Sequence, residues 1–247
     1  MTESSLASSG GAKSKRRSRA RFRSWARRLL LWGVTLVVVL PIGLVILFRF
    51  LPVPVTPLMI ATWVSDGGYV QTWVPLDRIS PNLVRAVIAS EDQKFCSHYG
   101  FDLEEIDKAL DANAAGRRLR GASTISQQTA KNLFLGPERS WVRKGAEAYL
   151  TVLIEALWPK RRILETYLNI AEWGPDRFGA EVAAQANFHK PSARLTSLEA
   201  ARLAVILPNP RAYRADVPGP YVARQSDVVA ARIGEVTRDK LDACIYR

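Results

Sequence analysis

Two carboxylates bracket the most polar part of the chain. Glu91 opens the run Glu91-Asp92-Gln93-Lys94-Phe95-Cys96-Ser97-His98-Tyr99-Gly100-Phe101-Asp102, and Glu147 closes Arg143-Lys144-Gly145-Ala146-Glu147. Between them lie Gly121-Ala122-Ser123-Thr124-Ile125-Ser126-Gln127-Gln128-Thr129-Ala130-Lys131-Asn132 and then Arg139. This is the inventory that glycosyl transfer needs: a carboxylate to handle a proton, hydroxyls and amides to hold a sugar, and cations to hold a departing phosphate.

Each part also has a plainer reading. A carboxylate among Ile88, Ala89 and Phe95 is expected to have its pKa raised toward neutrality and to serve as a general acid or base, whereas Glu91-Asp92 alone also fits a solvated acidic pair at a helix end. His98 by itself reads as structural more readily than catalytic. Ser123, Thr124, Gln127 and Gln128 suit sugar hydroxyls and phosphate oxygens, or a polar surface turn. Lys131, Arg139, Arg143 and Lys144 suit a diphosphate, a solvated basic face or phospholipid head groups. Leu133, Phe134, Leu135 and Trp141, interleaved with these cations, point to partial insertion into a bilayer.

These groups must be carried by helices. Ser80-Pro81 has the form of an N-cap followed by a first-turn proline, and Leu83, Val84, Val87 and Ile88 give the ensuing helix an apolar face that ends at Glu91. Asp102 with Glu105 starts a second helix, with Leu103, Ile106 and Leu110 at helical spacing. Ala146 to Trp158 predicts a third, stopped by Pro159. Lys160 to Asn169 continues the pattern, as does Leu195 to Leu207 with the capping box Thr196-Ser197-Leu198-Glu199. Tyr69 to Val74 reads as a short strand or hairpin arm. The sequence holds no βαβ rhythm, no phosphate-binding glycine loop and no internal repeat, which argues against a nucleotide-binding sheet.

The net charge of +12 could indicate nucleic acid, but its location excludes that reading. Nine cations and one anion precede Leu29, which leaves only about +4 for the rest of the chain. Residues 1–28 form a basic tail too poor in apolar residues to bury a core. Leu29 to Phe48 is an uncharged run about 30 Å long as a helix, enough to cross a bilayer, and the segment 29–50 is expected to remain as an anchor because no small-residue cleavage site follows it. The arginines before it predict a cytoplasmic N-terminus and an exported remainder. Pro52, Pro54 and Pro57 suggest an extended juxtamembrane linker over 51–79, ahead of a catalytic domain over 80–247. Cys96 and Cys244 are the only cysteines. Two separate thiols are the default, although pairing is not fixed by sequence.

Four motifs in one order carry a resemblance: E-D-x-x-F-x-x-H-x-G-F-D, G-x-S-T-I-x-Q-Q-x-x-K-N, R-K-x-x-E and I-L-E-x-Y-L-N. Together they resemble the peptidoglycan glycosyltransferases, in particular the monofunctional branch of that family, over roughly Val74 to Pro210. The resemblance implies a mainly α, lysozyme-like catalytic domain behind one transmembrane helix, which polymerises lipid II at the outer face of the inner membrane.

By motif position, Glu91 resembles the general base and Glu147 the second carboxylate, acting directly or through a divalent cation (Mg or Mn) at the diphosphate. Asp92, Phe95, His98, Ser123, Thr124, Gln127, Gln128, Lys131, Asn132, Arg139, Arg143 and Lys144 are the implied substrate-binding set, and Glu165, Tyr167 and Asn169 the scaffold behind it. Lipid II, the growing glycan strand and the membrane are the implied partners, with other cell-wall synthases and division proteins as further candidates. Ser126 stands where the family usually has Thr, and Asn187-Phe188-His189-Lys190 replaces an aromatic pair and Gly. No Ser-x-x-Lys occurs, so transpeptidation is not expected. A lytic glycosidase would use similar carboxylates without needing the cations. A membrane scaffold would need the tail and anchor but not the Glu91 to Glu147 set.

Overall fold

A computed structural model describes residues 25, 27–114, 123–138 and 140–246. The chain divides into two units, Met1–Leu47 and Phe48–Arg247. Apart from Trp25, Arg27 and Arg28, the expected basic tail lies outside the described residues.

Helix α1 (Arg27–Phe50) has 24 residues and is long and apolar enough to cross a membrane. Thr35–Val39, within it, is π-helical and is followed by Leu40-Pro41. Proline has no N–H to give to the helical ladder, so a local change of winding beside it has a ready cause.

The second unit is mainly helical. Its helices are α2 (Pro57–Asp66), α3 (Pro81–Glu91), α4 (Leu103–Ala114), α5 (Ile125–Phe134), α6 (Trp141–Leu157), α7 (Lys160–Ile170), α8 (Ala180–Phe188), α9 (Ser197–Ile206) and α10 (Pro220–Arg238). A small sheet is ordered β1 (Val70–Gln71), β3 (Arg177–Phe178), β2 (Glu172–Gly174), with β1 parallel and β2 antiparallel to β3. The expected strand near Tyr69 is therefore present, but it pairs with a distant strand instead of forming a hairpin.

Local chemistry explains the helix starts. Ser80 accepts from Asn82 N–H, Ser140 from Arg143 N–H, and Thr124 with Gln127 and Thr196 with Glu199 form reciprocal capping boxes. Helix α6 begins at Trp141, five residues earlier than its apolar pattern predicts, because the Ser140 cap sets its start. The expected extended linker contains α2: Thr56 caps it, Pro57 occupies its first turn, and Gly67 ends it at φ 83°. Met59 and Thr62 bury one side of α2, which the prolines alone did not reveal.

Two helix groups form the body. Helices α3, α9 and α10 pack on one another, as do α5, α6 and α7. Their cores meet the rule of apolar spacing: Leu83, Val84, Val87 and Ile88 on α3 and Ile163, Leu164 and Leu168 on α7 are all fully buried. Helix α4 departs from it, since Leu103 is 70% exposed although it sits at core spacing. Leu133 lies in the core, so within the expected insertion set the exposed group is Trp141, joined by its neighbour Val142.

Cys96 and Cys244 form a disulfide, correcting the expectation of two thiols. The pairing depends on the fold: Arg85 on α3 holds Asp242 at 2.7 Å, and Arg161 donates to the Ile245 carbonyl at 3.3 Å, bringing the C-terminal turn against the loop after α3. Sequence spacing carries no trace of that proximity.

Candidate active site

The Glu91 carboxylate projects from the last residue of α3. The helix stops at Asp92, whose buried side chain has two partners, the Ile125 N–H and the His98 ring. Asp92 Oδ2 accepts from the Ile125 N–H at 3.0 Å, satisfying one of the unpaired donors at the start of α5. It also meets His98 Nε2, at 2.9 Å through Oδ1 and 3.1 Å through Oδ2. Because His98 Nδ1 accepts from the Gly100 N–H at 3.1 Å, the ring proton belongs on Nε2 and points to Asp92. The Gly100 carbonyl in turn accepts from Thr124 Oγ1 at 2.6 Å.

Asp92, His98, Thr124 and Gln127 thus tie the Glu91 loop to α5. Gln127 is buried in the capping box, with Oε1 3.0 Å from the Thr124 N–H. Phe95 is fully buried, with Lys160 Nζ 4.6 Å from its ring centroid. Ser126 donates to Glu155, which Lys160 also pairs at 2.7 Å. These side chains are placed to hold the loop, whereas Ser123 is exposed and Gln128 faces Glu91.

Gln128 Nε2 donates to Glu91 Oε2 at 2.9 Å, while Gln128 Oε1 accepts from the Tyr167 hydroxyl at 3.1 Å. Tyr167 therefore fixes which end of the amide meets the carboxylate. Burial, joined by the negative charges of Glu91 and Asp92, pushes the Tyr167 hydroxyl well above its usual pKa and keeps it a donor. Burial also raises the Glu91 pKa, with Asp92 adding to the rise and Gln128 and Lys131 opposing it. Sequence reading places Tyr167 in the scaffold; its position behind the site follows from the packing of α7 on α5, which the motif alone does not contain.

On the other side, Glu147 is buried on α6 with Lys144 donating to it and Arg143 3.8 Å away. Lys131 lies within electrostatic reach of both carboxylates, and burial lowers its pKa while Glu147 and Glu91 pull the other way. Arg143 Nε is buried without a hydrogen-bond partner among the described residues. Asn132 is half-buried on the same helix as Lys131, and Arg139 lies outside the described residues. Among the described residues no three His, Cys, Asp or Glu side chains form a set that could hold a metal.

A cleft of about 270 Å³ opens beside Glu91, lined also by Ser90, Lys94, Asp102, Glu105, Ser123 and Arg232. Arg232 comes from α10, far along the chain, and no motif marks it. The whole arrangement combines a carboxylate of raised pKa, a cationic cluster and an adjoining cleft, on a helical frame.

A frame and site of this kind define a glycosyl-transfer domain, and the transglycosylase family profile matches residues 59–233. The chain belongs to the transglycosylase family. It is 50% identical over 223 residues to the biosynthetic peptidoglycan transglycosylase of Caulobacter vibrioides, covering 90% of this chain and 97% of that protein. The biosynthetic peptidoglycan transglycosylase of Rhodospirillum centenum is 53% identical over 206 residues, 83% of this chain and 89% of its own length. That of Escherichia coli is 51% identical over 214 residues, with 83% and 88% covered.

Proposed function

We propose that the protein polymerises lipid II into β-1,4-linked glycan strands. The observation that carries this reading is the half-buried Glu91, its pKa raised by burial, with Lys131 in electrostatic reach both of it and of Arg143, Lys144 and Glu147. In the ionised form Glu91 takes the proton of the acceptor sugar's 4-hydroxyl as that oxygen attacks the anomeric carbon of the growing chain. The anomeric bond to the α-linked undecaprenyl diphosphate breaks, its electron pair leaves with the diphosphate, and the new bond forms with inversion. Lys131, Arg143 and Lys144 stabilise the charge on the leaving oxygen, and the unpartnered Arg143 Nε is available for a phosphate oxygen.

Glu147 positions Lys144 and Arg143 for that task. A divalent cation, expected at the diphosphate, would come with the substrate, because the Glu147 carboxylate already has Lys144 and Arg143 as partners. The α1 span anchors the chain in the inner membrane with its N-terminus cytoplasmic and the second unit exported. The Cys96–Cys244 bond supports an oxidising compartment for that unit. Other cell-wall synthases and division proteins are candidate partners on that face.

Incubating the detergent-solubilised protein with labelled lipid II tests this reading. Long glycan accompanied by undecaprenyl diphosphate is the expected product. Intact lipid II together with shortening of preformed glycan would replace polymerisation by a lytic glycosidase.

A further inference from the structure

We propose that the ion pair of Glu155 and Lys160 positions Glu91 for proton transfer, by locking the loop that follows Glu91 onto the start of α5. The inference rests on the glycan-polymerising reading and adds two positioning residues to it.

The pair stands at the corner between α6 and α7, where Lys160 Nζ lies 2.7 Å from Glu155 Oε1 and the two side chains are 14% and 6% exposed. Each partner also reaches a different wall of the site. Glu155 Oε1 accepts a hydrogen bond from the fully buried Ser126 in the first turn of α5. Thr129, on the same helix, instead returns its hydroxyl to the Ile125 carbonyl at 2.8 Å, the bond a helical hydroxyl makes when nothing outside the helix engages it. Lys160 Nζ lies 4.6 Å from the centroid of the Phe95 ring in the loop. The Glu155 stem closes the other end of that loop, since a Cβ on Gly100 would come within 3.1 Å of its Cγ. One ion pair therefore holds α5, Phe95 and Gly100 at once.

These are the elements between which Glu91 is held. Ser126 lies two residues before Gln128, which donates to Glu91, and Phe95 and Gly100 flank His98, which meets Asp92. The pair also joins the helices that carry Glu147 and Tyr167: Glu147 lies eight residues before Glu155 on α6, and Tyr167 seven residues after Lys160 on α7. A shift at this corner is transmitted to the Glu91 carboxylate and to its donor Gln128 together.

Stability alone does not call for an ion pair here. Removing two charges from water offsets most of their attraction, and apolar side chains of similar volume in the same place are often equally stable or more so. What apolar side chains cannot reproduce is direction: one carboxylate oxygen fixed by two donors, and one ammonium fixed over a ring. Positioning and stability can therefore be separated by substitution.

The test compares the full-length wild type with Glu155→Leu/Lys160→Met, Lys160→Arg and Ser126→Ala on lipid II in detergent. The double variant removes both charges together and leaves neither one buried alone, so its melting temperature should stay within about 3 °C of wild type or exceed it. Its kcat should fall at least about tenfold with KM within about twofold, since a displaced base slows the chemical step without weakening binding. Lys160→Arg keeps the cation and its place over Phe95, and should retain at least about a third of the wild-type kcat. Ser126→Ala cuts only the link to α5 and should lower kcat about threefold or more. A kcat within about twofold of wild type in a folded double variant overturns the inference, as do kcat losses that track melting temperature across the series. If the double variant does not fold, Ser126→Ala decides: an unchanged kcat overturns the inference, and a fall at unchanged melting temperature and KM supports it. Failure of the wild type to polymerise at all would instead remove the underlying functional reading, and the role of the pair with it.

Discussion

A carboxylate serves as a base only if it is ionised when the substrate arrives and basic enough to take a proton, and Glu91 is held between those demands. Burial raises its pKa above the ordinary 4.5, while Gln128 and Lys131 restrain the rise. Lys131 is itself lowered from the ordinary 10.5, chiefly by burial. The rate should therefore climb with pH as Glu91 ionises through its elevated value, then fall as Lys131 loses its proton below the ordinary lysine range. A pH profile of kcat/KM on lipid II measures both limbs. Tyr167→Phe removes the donor that orients the Gln128 amide and should lower kcat between about two- and tenfold with little change in KM. Steady-state kinetics at the pH optimum decides this; an unchanged kcat would return Tyr167 to a purely structural role.

Helix ends, more than helix faces, set the geometry of the site. The start of α5 is fixed by Asp92, by the Thr124–Gln127 capping box and by the bond from Thr124 to the Gly100 carbonyl. Gly100 has φ 87°, and a Cβ there would stand 2.7 Å from Thr151 Cγ2. Gly100→Ala should accordingly cost about 2 kcal/mol in denaturant unfolding, from backbone strain and overpacking together. A loss below a few tenths would mean that the loop relaxes freely. Much of this scale was legible in sequence, because caps are local: Ser80-Pro81, Asp102 with Glu105 and the Thr196–Glu199 box each begin a helix as expected. What depends on tertiary packing was not. The side of α2 that is buried, the exposure of Leu103 and the committed position of Gln127 follow from neighbours distant in the chain.

Across the whole molecule, the loop that follows Glu91 is joined to the far end of the chain. The Cys96–Cys244 bond closes a separation of 148 residues and places the C-terminal turn against the segment that carries Phe95 and His98. Closing a loop of this length in the unfolded chain predicts about 2–4 kcal/mol of stabilisation. Denaturant unfolding with and without reductant measures it, with Cys244→Ser expected to match the reduced wild type. The apolar run of membrane-crossing length and the two bracketing carboxylates were legible because each is a local pattern of residue types. The disulfide and Arg232 were not, since the packing of α10 on α3 brings together residues that share no sequence neighbourhood.

Glu91→Gln is the most direct test of Glu91 as the base. A carboxyl with a raised folded pKa binds its proton more tightly folded than unfolded, so its contribution to stability is fullest below the unfolded value and is lost as pH rises through the folded one. Near neutral pH the amide escapes that loss, and the variant should melt at or above the wild-type temperature. Its polymerisation of labelled lipid II should nevertheless fall at least about a hundredfold. A stable, lipid II-binding Glu91→Gln variant that keeps more than about a tenth of wild-type activity would contradict the assignment and place the proton transfer elsewhere.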